Sequence, residues 1–190
     1  MELINRSLIG DQQAFGALFD QYKNLVFKTA YLMLGNAEDA EDALQEVFLQ
    51  VYRSLCTFDR SKGAFTTWLH RITVNHCLNR RRIHSLAALT IDDASTVQFP
   101  DRTVSQMDRL GEEEAMQLAL DTLSQKLRAV IVLRYYWDLS HAEIAEVLEI
   151  PVGTVKSRLN LGLNTLRKVL EAGSGNSQVQ YVYEQRELPR

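Results

Sequence analysis

Proline, glycine and cysteine are scarce in this chain of 190 residues, which has three, nine and two of them respectively. No Asn-Gly or Asp-Gly dipeptide occurs, so the hairpin turns of an all-β fold are poorly encoded. Cys56 and Cys77 form no Cys-x-x-Cys pair, which excludes a disulfide framework and a zinc knuckle. His70 and His76 have no companions at metal-ligand spacing, and we therefore expect neither a metal nor another cofactor.

Long apolar runs are also missing. No stretch approaches the roughly 18 apolar residues of a membrane span, and the opening MELINRSLIGDQQ has no apolar signal-peptide core. We therefore expect no membrane insertion and, with two unpaired cysteines, a reducing cytoplasm. Hydrophobic residues make up 46% and charged residues 24% of the chain, which is the balance of a folded globular protein.

The net charge of −3 conceals an uneven distribution. Residues 49–84 carry seven basic residues and one acidic residue, and residues 150–190 carry six basic and three acidic residues. The rest of the chain is acidic. Two basic islands in an acidic chain favour two separate contacts with a polyanion, although ordinary solvated faces would give the same distribution.

Apolar residues recur at helical spacing through most of the chain. The pattern predicts an all-α fold of two small helical domains, residues 1–84 and 112–170, joined by a flexible linker over 85–111. Residues 171–190 start with a Gly/Ser stop and predict a frayed tail. The predicted inner faces are Phe15, Leu18, Phe19 and Tyr22; Leu44, Val47, Phe48, Val51, Tyr52 and Leu55; Phe65, Trp68, Leu69 and Ile72; and Met116, Ala119, Leu120, Leu123, Leu127, Val130 and Ile131.

The segment LSHAEIAEVLEIPVGTVKSRL at 139–159 predicts a helix-turn-helix within the second domain. Ser140 and Glu143 have the spacing of a capping box, and Pro151 falls where the first turn of a second helix would begin. Such a motif presents the first residues of its second helix to DNA in the major groove, and a plain helical hairpin is the alternative. The residues predicted to face outward there are Thr154, Lys156, Ser157 and Arg158.

A polar loop with Gly63 and a basic amphipathic helix make up the other basic island, residues 58–82. Phe65 and Trp68 follow the spacing of a buried stripe, so we interpret them as core residues and not as platforms for stacked bases. Polar and cationic side chains on the outer face of this helix suit single-stranded bases, and the three arginines at its end suit phosphates. The outer-face residues are Thr66, Thr67, His70, Arg71, Val74 and Asn75, followed by Arg80, Arg81 and Arg82.

An acidic helix face precedes this island. Asn36 and Asp39 resemble a capping box that opens the helix, after Gly35 has closed the previous one. Such a face is either simply solvated or docks on a basic protein surface, and the local sequence leaves both alternatives open. Its outer residues are Glu38, Asp39, Glu41, Asp42, Gln45, Glu46 and Gln50.

Taken in order, these motifs resemble a bacterial sigma factor of the extracytoplasmic-function subfamily of the sigma-70 family. The resemblance is carried by DAEDALQEVFLQVYRSL at 39–55, FTTWLHRITVNHCLNRRR at 65–82 and the segment at 139–159, and it covers residues 5–170 approximately. It implies a protein without catalysis of its own that binds core RNA polymerase, directs it to promoters through −35 and −10 elements and promotes DNA melting.

The resemblance also implies partners. Residues 42–55 would dock on the clamp helices of the largest polymerase subunit, and the second domain would meet the flap of the second-largest subunit. Promoter DNA would be bound both as duplex and as single strand, and an anti-sigma factor is left open as a further partner. The linker, with Asp92, Asp93 and Asp101, would run toward the RNA exit channel.

The candidate site residues form three sets. The core-binding set is Asp39, Asp42, Gln45, Glu46, Gln50 and Arg53. The −10 set, with a flipped base expected near Gly63, is Arg60, Lys62, Thr66, Thr67, His70, Arg71, Asn75, Arg80, Arg81 and Arg82. The −35 set, within or beside the segment His141–Asn160, is Ser140, His141, Thr154, Lys156, Ser157 and Arg158.

One departure from the family pattern follows Arg158, where further basic residues are usual. Here the chain continues with Asn160, Leu161, Gly162 and Leu163. This puts phosphate contacts downstream of Arg158 in doubt and predicts a hydrophobic partner there.

Two other functions fit parts of the sequence. A free-standing helix-turn-helix regulator would bind DNA without polymerase and would need a ligand pocket in residues 1–84, where the basic loop and helix lie instead. An enzyme with a regulatory tail would need a phosphate-binding glycine loop, a nucleophile elbow or clustered metal ligands, and we find none in the sequence. Co-purification with core RNA polymerase separates a sigma factor from the regulator.

Overall fold

The computed structural model describes residues 2–91 and 112–173, with side chains over 2–80 and 116–170. The first range folds into α1 (Glu2–Leu8), α2 (Gln12–Leu34), α3 (Ala37–Ser54) and α4 (Phe65–Ile91). Two short 3₁₀ turns, Leu55–Thr57 and Arg60–Lys62, connect α3 to α4. We call this range the first lobe.

The second range contains α5 (Glu112–Asp121), α6 (Gln125–Ile131), α7 (His141–Leu148) and α8 (Val152–Gly173), and we call it the second lobe. A π-helical turn, Val132–Tyr136, continues α6. The all-α fold class is thereby confirmed. Within the described ranges, none of the helices is both long and apolar enough to cross a bilayer.

The predicted linker is partly helical. Helix α4 continues to Ile91, so the first seven residues of the segment 85–111 belong to it. The remainder of that segment, including Asp92, Asp93 and Asp101, lies outside the described residues, as does the tail beyond Gly173.

Local capping sets the boundary between α2 and α3. Gly35 ends α2 in the left-handed conformation, with φ of 91°, and its N–H donates to the carbonyl of Tyr31. The side chain of Asn36 accepts a hydrogen bond from the Asp39 N–H at 2.7 Å and so satisfies a free donor in the first turn of α3. The sequence prediction of both caps is confirmed.

The first lobe has its own apolar core, in which α2, α3 and α4 meet. Leu18, Val47, Val51, Phe65 and Leu69 are buried there, and partly buried aromatic rings surround them. The expectation that Phe65 and Trp68 are core residues is confirmed, because both rings pack edge-on or tilted against Phe58. The prediction was wrong for Tyr52, which packs on Phe15 but is 56% exposed.

A second core is shared by the two lobes, which the sequence did not predict. Met33, Val74 and Cys77 from the first lobe belong to the same buried cluster as Leu133 and Ile144 from the second. Helix α7 packs against α4, and α6 with its π-helical turn packs against α2. The expected picture of two separate lobes is therefore incomplete, because burial of apolar surface joins them. Met116, predicted to face the core of the second lobe, is exposed.

We expect Asn36→Ala to lower the free energy of unfolding by about 1 kcal/mol, because it removes the cap at the start of α3. Asn24→Ala is the matched control, since Asn24 is exposed in the middle of α2, where alanine favours the helix. Urea unfolding followed by helical circular dichroism measures both. Equal losses in the two variants would contradict the capping role.

Candidate nucleic-acid and docking surfaces

The predicted helix-turn-helix is formed by α7 and α8. Ser140 and Glu143 make a reciprocal capping box: the Glu143 N–H donates to the Ser140 hydroxyl at 3.2 Å, and the Ser140 N–H donates to the Glu143 carboxylate at 2.8 Å. Glu149 ends α7 in the left-handed region with φ of 53°. Pro151 stands immediately before α8, and its carbonyl accepts the N–H groups of Thr154 and Val155. The sharp turn between the two helices is thus fully built from local hydrogen bonds.

Helix α8 divides into a buried face and an open face. Val155, Leu159 and Leu166 are buried as predicted. Most of the −35 candidates lie on the first turns of the open face: Lys156 and Ser157 are exposed, and Thr154 and Arg158 are half-buried. Ser140 is exposed and His141 is half-buried at the start of α7. The structure therefore places four of these candidates on the first turns of α8, and the other two at the opposite end of α7 from the turn.

The two leucines after Arg158 have different environments. Leu163 packs against the shared core, whereas Leu161 is 58% exposed. Between them, Gly162 lets α8 cross α6 closely, because a Cβ built on it would lie 3.0 Å from the Cγ1 of Ile131. Only Leu161 is therefore available to an external hydrophobic partner.

The acidic face of α3 is open. Asp42 has 58% of its side chain exposed, and Gln45, Glu46, Gln50 and Arg53 are exposed as well. Two exposed apolar side chains, Leu49 and Tyr52, are interspersed with these residues along α3, and the sequence reading had not included them. The α3 surface therefore combines carboxylates with apolar area, which suits a protein partner better than a nucleic acid.

Arg80, predicted to hold a phosphate, instead bonds with this acidic face. Its Nη2 donates to Asp39 at 2.6 Å and to Asp42 at 3.0 Å, which ties α4 to the start of α3. A phosphate would have to displace both carboxylates. The side chains of Arg81 and Arg82 lie outside the described ones.

The outer face of α4 is not open as the sequence predicted. Asn75 is exposed and Thr66 is half-buried, but Thr67, His70 and Val74 are buried. The His70 ring lies 5.1 Å from the Trp137 ring, centroid to centroid, and Val74 belongs to the shared core. The expectation of exposure was wrong for these three residues. His70 and Val74 are buried because part of the second lobe covers them.

The remaining −10 candidates are accessible or engaged in ion pairs. Arg60 and Lys62 are exposed on the turn before Gly63, where Asp59 holds the turn by accepting from the Ser61 N–H at 2.9 Å. Arg71, one turn of α4 from Val74, forms an ion pair with Glu149 of the second lobe at 3.3 Å.

Four residues that contribute to this arrangement had no role in the sequence analysis. The Trp137 Nε1–H donates to the hydroxyl of Thr29 at 2.9 Å, and Arg128 donates to the carbonyl of Met33 at 3.0 Å. Both bonds cross between the lobes. The one signal in the sequence was Arg128 itself, a charge set inside the apolar run of α6.

Family profiles match both lobes. A profile described as sigma-70 region 2 matches residues 18–86, and one described as sigma-70 region 4 matches residues 113–166. The ECF RNA polymerase sigma factor SigW of Bacillus subtilis is 38% identical over 85% of this chain and 91% of its own length.

Two solved structures share the architecture. CnrH in complex with the cytosolic domain of CnrY is 26% identical, has a TM-score of 0.63 and covers 90% of this chain and 96% of its own. The sigma factor RpoE from Bartonella quintana, in complex with the anti-sigma factor NepR, has a TM-score of 0.66 at 18% identity. It covers 83% of this chain and 96% of its own, and it supports the fold alone.

His70 predicts a dependence of stability on pH. Burial lowers its pKa from 6.5 to about 4. Below pH 6.5 the unfolded chain therefore takes up a proton that the folded protein excludes. Stability falls as the pH drops from 6.5 toward 4, by at most about 1.4 kcal/mol per pH unit.

The measurement is urea unfolding of the wild type and of His70→Gln at several pH values. Other titrating groups, His76 among them, are common to both proteins, so the difference isolates His70. The wild type should lose stability relative to the variant only below pH 6.5. Parallel pH profiles would show that His70 is not buried in the folded protein.

Proposed function

Since the chain belongs to the extracytoplasmic-function branch of the sigma-70 family, we propose which of its surfaces carries out each step of promoter recognition. Proteins of this family bind core RNA polymerase and direct it to promoters, where they recognise −35 and −10 elements and promote DNA melting. They are initiation factors and not enzymes. The chain is accordingly a promoter-specificity subunit, and the roles of its individual residues are the subject of the proposal.

The acidic face of α3 is the proposed docking surface for the clamp helices of the largest polymerase subunit. Its support is the combination of exposed carboxylates with the exposed Leu49 and Tyr52 on one helix. Arg80 acts as a positioning residue here, because its two ion pairs fix the carboxylates of Asp39 and Asp42. The second lobe is proposed to meet the flap of the second-largest subunit.

The first turns of α8 are the proposed reader of the −35 element. Lys156 and Arg158 can reach guanine edges or phosphates in the major groove, and Ser157 and Thr154 lie near the helix N-terminus, where phosphates are favoured. The carrying observation is the complete helix-turn-helix, with its capping box before α7 and its tight turn before α8.

The Gly63 turn and the face of α4 are the proposed reader of the single-stranded −10 element. Arg60 and Lys62 flank an exposed turn that can receive an unstacked base, and Asn75 is exposed farther along the helix. Thr67 and His70 are buried and Arg71 is paired with Glu149, so the accessible part of this surface is the turn and Asn75. Bases flipped out of the duplex are read through their pairing edges, which polar side chains of this kind can contact.

The free-standing regulator is the disfavoured alternative, because SigW, which matches 85% of this chain, is named as an RNA polymerase sigma factor. Because a sigma factor acts together with RNA polymerase, the proposed location of the chain is the cytoplasm. The CnrH and RpoE structures were solved with bound partner proteins, and we extend to this chain an anti-sigma factor as a partner.

Reversing charge on the docking surface should weaken assembly with core polymerase. We expect Glu46→Lys to reduce affinity for core enzyme at least about tenfold, since a like charge then faces the basic partner surface, while stability changes little. Glu2→Lys is the matched control, because Glu2 is an exposed acidic residue that lies on α1 and not on α3. Fluorescence titration with core polymerase measures both. Indistinguishable affinities would refute the docking assignment.

Promoter recognition should separate into two steps. We expect Arg158→Ala to weaken duplex occupancy by about 1–3 kcal/mol, with melting restored at higher holoenzyme concentration. Asn75→Ala should keep occupancy but lose permanganate reactivity of thymines around −10. Arg167→Ala is the control for Arg158, because Arg167 is exposed on the opposite side of α8. Footprinting on a promoter used by the holoenzyme measures occupancy and melting for each variant. If both variants lose occupancy and melting alike at every holoenzyme concentration, recognition does not separate into two steps.

A further inference from the structure

We propose that Asn160 and Leu161 of α8 select A·T base pairs in the −35 element: Asn160 binds the major-groove edge of adenine, and Leu161 contacts the methyl group of thymine. The inference rests on the proposed role of α8 in binding the −35 element, and it deepens that role. It assigns sequence preference to two residues outside the candidate set, and it gives the exposed Leu161 a partner.

The open face of α8 has uncharged side chains along its centre and cations at its edges. Successive residues of an α-helix are turned by about 100°, so four exposed residues lie within about 60° of the line opposite the buried Val155, Leu159 and Leu166. These four are Ser157, Asn160, Leu161 and Asn164. Lys156 and Arg158 lie about 100° from that line, one on each side. A helix that lies in the major groove with this face inward directs its centre to base edges and its flanks to phosphates.

The packing of α8 on α6 fixes Leu161 in its outward position. Gly162, the next residue, faces α6, and a Cβ built on it would lie 3.0 Å from the Cγ1 of Ile131. A rotation of α8 that buried Leu161 would bring a leucine side chain to a place where even a Cβ is crowded. Leu161 is 58% exposed, and Asn160 beside it is exposed as well. Both side chains are therefore held on the open face by the fold.

The side chains at the centre of this face differ in what they can offer to a base. The Ser157 hydroxyl donates to the carbonyl of Thr154 at 3.0 Å, so its proton is already used within the helix. The Asn160 amide has a donor and an acceptor, which match N7 and the N6 amino group of adenine. Leu161 has neither, and the major-groove group that suits an aliphatic side chain is the C5 methyl of thymine. Together the two residues select A·T over G·C.

The position of these contacts along the DNA follows from the rise of the helix. Leu161 lies four residues after Ser157, about 6 Å farther along the axis of α8. Base pairs are stacked about 3.4 Å apart, so this distance corresponds to about two base pairs. Asn160 and Leu161 therefore extend the contacts of the first turns by about two pairs. Base contacts take the place of the phosphate contacts that basic residues would supply downstream of Arg158.

The surroundings of Leu161 favour DNA over a protein as its partner. Within the described part of α8, the other large apolar side chain that is exposed is Val152, the first residue of the helix. It lies nine residues away, about 13 Å along the axis. The neighbours of Leu161 on the open face are amides, a hydroxyl and cations. A docking surface for a protein needs contiguous apolar area, which a single leucine does not supply.

A promoter duplex without the thymine methyl group tests Leu161. The holoenzyme first selects duplexes from a promoter pool randomised across the −35 region, and each selected thymine is then replaced in turn by deoxyuridine, which lacks only that methyl. We expect the wild type to lose occupancy about fourfold at one position, as for one buried methylene. Leu161→Ala should occupy both duplexes equally. Leu8→Ala is the matched control, because Leu8 is an exposed leucine of the first lobe, and it should keep the wild-type response.

A duplex without the N7 of adenine tests Asn160 in the same way. Replacement of each selected adenine by 7-deazaadenine removes one acceptor from the major-groove edge. We expect the wild type to lose occupancy about fivefold at one position, the value of one hydrogen bond. Asn160→Ala should occupy both duplexes alike. Asn24→Ala, a change of the same kind on the exposed surface of α2, should respond as the wild type does.

The outcomes separate this inference from the proposed function. Variants that respond to the altered bases as the wild type does overturn the inference. So does a Leu161→Ala protein that assembles poorly with core polymerase but keeps its response to deoxyuridine, since Leu161 then contacts a protein. A wild-type holoenzyme that selects a −35 sequence through Arg158 but responds to neither altered base refutes this inference alone. A wild-type holoenzyme without any preference in the −35 region refutes the proposed function of α8.

Discussion

The bond from Arg128 to the carbonyl of Met33 is the interaction on which the arrangement of the two lobes depends. Met33 lies in the last turn of α2, where carbonyl groups have no partner within the helix. A buried guanidinium satisfies this carbonyl and adds positive charge at the negative end of the helix. Each group satisfies the other in the buried contact, and this favours one register of the shared core.

The end of α2 therefore contacts the second lobe and also adjoins the start of α3. Gly35 turns the chain there in the left-handed conformation, and a Cβ on it would lie 3.0 Å from the Oδ1 of Asp121, the residue that also pairs with Arg128. Helix α3 begins two residues farther along, and its outer face carries the carboxylates proposed for docking. The position of the second lobe and the start of the docking helix are thus fixed within a few residues of each other.

Features set by local chemistry could be read from the sequence. The caps at Asn36 and Ser140 depend on hydrogen bonds within three residues, and the inner faces follow from helical spacing. Which side chains of α4 are exposed could not be predicted in this way. His70 and Val74 lie on the side of the helix that the first lobe alone would leave open. Their burial depends on residues more than sixty positions away, such as Trp137, and no periodic pattern encodes that contact.

The contact between the lobes gives the charge pattern a second explanation. Both basic islands were assigned to DNA on sequence alone, and the acidic residues of α7 between them had no assigned role. In the structure, Glu149, which ends α7, contacts Arg71 of the first island. Intramolecular pairing therefore accounts for part of a pattern that polyanion binding alone had explained.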